Sequence, residues 1–208
     1  MEPQRAGGVD AVMLPQSPNL RITAETPIAR GTGTLTRVTY ERRSQDGHWK
    51  RLRREIYDNG DSAVALPYDG WRGTVLLARQ SRIPPFLSDG RETMLEACAG
   101  KLDGEAPEVR IRKELEEELG FRIATVERLF SLFMSPAGFQ ERITFFLCDY
   151  TPQDRVSAGG GLAAEGEDIT VVEMPLEEAW RMVAAGEIAD AKTVILIQQL
   201  MLRRGGEG

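Results

Sequence analysis

The chain has 208 residues, of which 41% are hydrophobic and 28% charged, and a formal net charge of −6. That length supports one sizeable core with a small appended subdomain, and the acid excess argues against a nucleic-acid-binding surface. No run of eighteen apolar residues occurs and the N-terminus lacks a basic segment followed by an apolar one, so neither a membrane span nor a leader is expected. The two cysteines, Cys98 and Cys148, stand in apolar settings; buried reduced thiols and a cytoplasmic protein are expected.

Residues 1–27 carry several Pro, Gly and Ser without a sustained period and read as a loosely held arm. A strand pattern begins at Thr34. The Ser44-Gln45-Asp46-Gly47 turn signal and a second strand from Trp49 to Tyr57 make a hairpin. Lys50, Arg51, Arg53 and Arg54 on that strand are either solvated edge charges or an anion patch. His48, the only histidine, sits beside the turn and reads as a surface residue, so no histidine-based triad or metal cluster can be built. Ser62–Pro67 and Thr74–Arg79 are short apolar strands. Arg82 precedes Ile83-Pro84-Pro85, which reads as a rigid loop holding a charge at a strand end.

A small-residue loop at Cys98-Ala99-Gly100 leads to a helix bounded by Pro107 and Gly120. At about 100° per residue, Ile111, Leu115 and Leu119 form its apolar edge. Glu118 projects within that edge and Glu114 lies beside it one turn earlier, whereas Glu116 points away and Glu117 is intermediate. Half-buried carboxylates at i, i+4 repel each other and lose hydration, and a divalent cation between them relieves both effects. A hard cation such as Mg²⁺ takes carboxylate and carbonyl oxygens and shares itself with phosphate. The residues alone therefore point to a magnesium site built for phosphate.

Further on, Ile123–Phe133 and Arg142–Tyr150 read as strands, with Ser135-Pro136-Ala137-Gly138 between them and Glu141 just before the second. Ala158–Asp168 is a glycine-rich acidic loop, either a surface linker or a segment that swings a carboxylate over substrate. Ile169–Met174 is a strand. A helix from Pro175 has Leu176, Ala179, Met182 and Val183 inward, and Asp190 caps a last helix to about Arg203.

The stretch Lys113-Glu114-Leu115-Glu116-Glu117-Glu118-Leu119-Gly120-Phe121 resembles the core of the Nudix box, G-x5-E-x7-R-E-U-x-E-E-x-G-U with U apolar. Lys113 replaces the usual Arg, and only four residues separate Gly100 from Glu105, one fewer than the box has. Arg53–Asp58, Cys98-Ala99-Gly100, Met134-Ser135-Pro136, Ala158–Gly161, Glu167-Asp168-Ile169 and Lys192-Thr193-Val194 resemble the GDP-mannose hydrolase branch of that family. ADP-ribose diphosphatases share the Ala-Gly loop, the Ser-Pro-x-Gly turn and the late Glu-Asp-Ile.

The resemblance implies an α+β Nudix fold, a mixed β-sheet sandwiched between α-helices. It divides the chain into an arm (1–27), a small antiparallel β subdomain that helps form a homodimer (28–60), and a hydrolase domain (61–205). It implies Mg²⁺-dependent hydrolysis, with Mn²⁺ as a substitute, of the pyrophosphate of a nucleoside diphosphate sugar: GDP-mannose to GMP and mannose 1-phosphate. The alternatives are ADP-ribose to AMP and ribose 5-phosphate, or a non-catalytic nucleotide-sugar sensor; a sensor needs the fold but not the three box glutamates, which this chain retains. By the same resemblance the Ala99 carbonyl, Glu114, Glu118 and Glu167 bind metal, and Glu117 holds a water at the metal. Glu167 or, second, Glu141 is the general base, and Arg82 grips the pyrophosphate. Arg53, Arg54, Glu55, Gly100, Glu141 and Lys192 line the substrate site. Gly166 stands where that branch often has a second acid.

Overall fold

The computed structural model describes residues 14–206. It divides into two compact units, Met1–Asn59 with Ala137–Phe139, and Gly60–Pro136 with Gln140–Gly208.

The first unit is an antiparallel sheet of β1 (Gln16–Ser17), β2 (Leu20–Arg30), β3 (Thr34–Arg43) and β4 (Trp49–Asp58), in that order. The hairpin of β3 and β4 is the expected one, and its turn is held by the Asp46 carboxylate, which accepts from the His48 N–H at 3.2 Å. The expected loose arm is corrected from Leu20 onward, where the chain is strand; residues 1–13 lie outside the described residues. Pro27, within the segment read as an arm, sits at one of two register shifts along β2, and a bulge is where a strand tolerates a residue without an N–H. None of the buried apolar side chains described comes from this unit.

The second unit is built on a mixed sheet. Its strands are β5 (Ser62–Asp69), β6 (Thr74–Ser81), β7 (Thr93–Glu96), β8 (Cys98–Lys101), β9 (Glu127–Phe133), β10 (Arg142–Asp149) and β11 (Thr170–Pro175). The main order is β11-β6-β5-β10-β9, with β7 paired to β6 and β8 to β5. The β5–β10 pair is parallel and the others antiparallel. Parallel strands are buried on both faces, and β5 accordingly reads as a continuous apolar run. Val64 and Leu66 pack to one side with Leu176 and Ala179 of α3 (Leu176–Ala184) and Leu196, Ile197 and Leu200 of α4 (Ala191–Gly206). Ala63 and Ala65 pack to the other side with Ile111, Leu115 and Leu119, which belong to or directly follow α2 (Pro107–Glu118). The sheet thus lies between helices, as expected.

Two local readings are corrected. Ile83-Pro84-Pro85 is not a loop but opens a short helix, α1 (Ile83–Asp89), closed by Gly90 at φ 75°. Proline's fixed φ suits a first helical turn, where its missing N–H leaves no bond unmade. The small-residue segment at Cys98 is strand β8, registered so that Ala99 faces Val64.

The C-terminal end of α2 is closed by glycines. Gly120 has φ 78°, and its N–H donates to the Glu116 carbonyl at 3.1 Å. The next two carbonyls, of Glu117 and Glu118, accept from the N–H groups of Gly161 at 3.0 Å and Gly160 at 2.9 Å. The glycine-rich segment is therefore bonded to the helix end rather than hanging from it, and it can pass there only because it lacks side chains. A Cβ on Gly120 would stand 2.5 Å from the Ser157 carbonyl oxygen. Gly120→Ala is expected to lower unfolding free energy by about 2 kcal/mol or more, from a strained left-handed φ plus a backbone clash, and urea denaturation of the two forms measures it.

Candidate active site

The second unit brings five of the predicted site residues onto α2 and the adjoining β8. The α2 side chains of Glu114 and Glu118 are 4% and 1% exposed, on the edge that also buries Ile111 and Leu115. Glu118 Oε2 accepts from the Ala99 N–H at 3.3 Å. Burial first, and then the Glu114 and Glu167 charges, push the Glu118 carboxyl up to about 8. Burial likewise raises Glu114, against the pull of Arg110. Gly100 is where Glu114 passes: a Cβ there would fall 1.7 Å from Glu114 Oε1, so the strand admits the carboxylate only because residue 100 has no side chain. Glu117 is partly exposed, but its Oε2 is buried and accepts no hydrogen bond. Glu116 pairs with Arg122 at the surface, the solvated role its direction suggested.

The donors fit a hard divalent cation in kind: two buried carboxylates, a third with an unbonded buried oxygen, and the backbone of Ala99. Among the described residues, no three acidic, histidine or cysteine side chains form a ready-made cage. The guanidinium of Arg110 is inserted instead, bonded to Glu114 and 3.8 Å from Glu117.

The other predicted residues arrive from several elements. Glu167 Oε2 accepts from the Leu162 N–H at 2.9 Å, folded back on its own glycine-rich segment, and its charge reaches both buried glutamates. Arg82 is held side-on by Glu96, with Nε and Nη2 each 2.9 Å from a carboxylate oxygen. That pairing raises the Arg82 pKa further, with smaller contributions from Glu118 and Asp190. Glu141 accepts from the Ser62 hydroxyl at 2.6 Å. Lys192 is 2.5 Å from Asp190 Oδ1. Arg53, Arg54 and Glu55 stand on β4 of the first unit, where Glu55 pairs with Arg37 at 3.0 Å. A cavity of about 400 Å³ lined by Tyr68, Glu127, Cys148, Asp154, Leu200 and Arg203, among others, contains none of these residues.

Sequence reasoning missed Glu96 and Arg110. Glu96 is buried on β7, a four-residue strand too short to show a period. Arg110 was legible in principle, since it precedes Glu114 by one helical turn. Despite the shortened first half of the box, Glu105 still meets Lys113 in an ion pair.

Such an acidic helix, set against an Ala-Gly strand on a mixed sheet between helices, defines a Nudix domain. The NUDIX domain family model matches residues 58–196, and the chain belongs to the Nudix hydrolase family, whose members generally use a divalent cation. A second model, the GDP-mannose pyrophosphatase NudK N-terminal domain, matches residues 19–57. Among curated relatives, a GDP-mannose pyrophosphatase of Enterobacter sp. (strain 638) is 44% identical over 171 residues, 81% of this chain and 87% of the relative. One from Escherichia coli O1:K1 / APEC is also 44% identical over 171 residues, covering 81% and 88%. A crystal structure of an ADP compounds hydrolase superposes with a TM-score of 0.70 at 19% identity, over 93% of this chain and 98% of that one, a likeness of fold. Among the described residues no helix is long and apolar enough to cross a membrane.

The raised Glu118 carboxyl has a measurable consequence. Its folded-state pKa of about 8 exceeds the ordinary 4.5, so between those values the folded chain binds the extra proton. Stability must then fall as pH rises through that window. In chelator, the unfolding free energy is expected to drop by on the order of a few kcal/mol from pH 5 to pH 8, and Glu118→Gln should flatten that part of the profile.

Proposed function

We propose that the chain hydrolyses the pyrophosphate bond of GDP-mannose, with Mg²⁺ as cofactor, to GMP and mannose 1-phosphate. The observation that carries this is the pair of buried carboxylates, Glu114 and Glu118, one turn apart beside Gly100, in a chain 44% identical to GDP-mannose pyrophosphatases. Glu114, Glu118 and the Ala99 carbonyl would hold the cation, joined by Glu167 in the alternative in which Glu141 is the base. When bound, it neutralises phosphate oxygens and lowers the pKa of water at the site.

The protein's own groups do the rest. Glu167 takes the proton of the attacking water; its contact with Leu162 leaves the other carboxylate oxygen for that purpose. Glu141, engaged by Ser62, is the second choice. Glu117 orients the water through its unbonded oxygen. Arg82, fixed by Glu96 on two of its five N–H donors, presents the others to the pyrophosphate. Lys192 and Gly100 border the substrate. Water attacks one phosphorus in line, the P–O bond to the other phosphate breaks, and two phosphate monoesters leave.

Purified protein with Mg²⁺ is expected to release GMP from GDP-mannose in preference to AMP from ADP-ribose; the reverse preference would move the substrate, and turnover of neither with Mg²⁺ or Mn²⁺ would favour a sensor. Glu118→Gln should lower turnover by about 10³-fold, the scale of lost metal-borne charge stabilisation, with the circular dichroism spectrum unchanged. Wild-type activity in that variant would sink the assignment.

A homodimer completes the proposal. A sheet of this size without a buried apolar side chain of its own is marginal in water, and Leu20 and Ile28 stand exposed on β2. Light scattering is expected to give twice the chain mass of 23.1 kDa; a monomer at micromolar concentration would refute it.

A further inference from the structure

The box brings its own basic residue, Lys113, and that residue is spent on Glu105. Arg110 is a second cation on the same helix and is directed at different partners. Its side chain is 19% exposed, it is bonded to Glu114 Oε1 one turn on, and it lies 3.8 Å from Glu117 Oε2. Glu114 Oε1 is also the atom lodged against Gly100. One carboxylate oxygen, in the narrowest part of the site, thus already carries a guanidinium.

From this geometry we infer that Arg110 is a built-in competitor of the divalent cation for Glu114 and Glu117, and that it weakens cation binding by this site. The inference rests on the metal reading proposed above. The physical grounds are two. A guanidinium within bonding distance of a ligand oxygen draws electron density from the pair that a cation would use. A full positive charge on the ligand carboxylate also repels a dication in a partly buried site, where screening by solvent is weak. Cation binding through Oε1 therefore requires Glu114 to loosen from Arg110, and the free energy of that ion pair is subtracted from the binding. The compensating gain is that Arg110 offsets the repulsion among Glu114, Glu117 and Glu118 and so supports the folded helix.

The two effects have opposite signs, which separates this role from simple positioning. If Arg110 merely oriented Glu114 for the metal, removing it would weaken cation binding. If it competes, removing it strengthens binding and destabilises the chain in chelator. Calorimetric titration of Mn²⁺ into the full-length wild type, Arg110→Met and Arg110→Gln, with melting curves in EDTA, reads both. Both variants are expected to bind about tenfold more tightly and to melt at lower temperature in EDTA. Arg110→Lys, which keeps the charge, is expected to stay near the wild-type affinity. Equal or weaker binding in Arg110→Met and Arg110→Gln overturns the inference while leaving the metal site standing. A wild-type chain that binds neither Mn²⁺ nor Mg²⁺ overturns the metal reading itself and the inference with it. Using two neutral variants keeps the sign readable should one of them fold poorly.

Discussion

Two carboxylates buried on the core-facing side of one helix set the terms for everything around them. Ile111 and Leu115 anchor α2 against the sheet, and the same edge carries Glu114 and Glu118 out of water. Burying such groups is unfavourable unless they are bonded or neutralised. Each therefore has a dedicated answer in the fold. Glu118 takes the Ala99 N–H. Glu114 takes Arg110 and a space kept open by Gly100. The residual cost of burial appears as raised carboxyl pKa values at both residues.

The framework around α2 is equally specific. A helix ends with unmade carbonyl bonds, and here the glycine-rich segment supplies the missing donors. The same segment leads to Glu167, so the closure of the helix and the delivery of a third carboxylate are one structural act. On the other side, Glu96 of β7 holds Arg82, while Ala97 donates to Thr193 at 2.7 Å and Thr193 bonds Asp190. Asp190 in turn holds Lys192 and caps α4. Two adjacent residues, Glu96 at the end of β7 and Ala97 just after it, thereby connect Arg82 with the Asp190–Lys192 pair.

Much of this was legible in the chain itself. The acid helix, its apolar edge and its glycine stop follow from a 3.6-residue period, and the inward direction of Glu114 and Glu118 came from the same geometry. The apolar run of β5 was visible as a short strand, whereas its burial on both faces came from the parallel pairing with β10 and the helices on either side. The misreadings have local causes. The segment up to Pro27 showed no period although β2 accommodates that proline at a bulge, and Pro84 and Pro85 were read as a rigid loop although they suit a first helical turn. The glycines at 159–161 looked like slack because left-handed φ values and close backbone approach leave no signature distinct from flexibility.

The sequence by itself therefore determined which helix carries the clustered acids, which of them face inward, and which family the chain belongs to, because those follow from residue type and spacing along one element. Tertiary structure decided the partners: that Glu96 fixes Arg82, that Ala99 engages Glu118, and that Arg110 rather than Lys113 meets Glu114. Those pairings depend on strand register and on how a loop returns to a helix end. Both are set by packing between segments distant in the chain, where no local period records them.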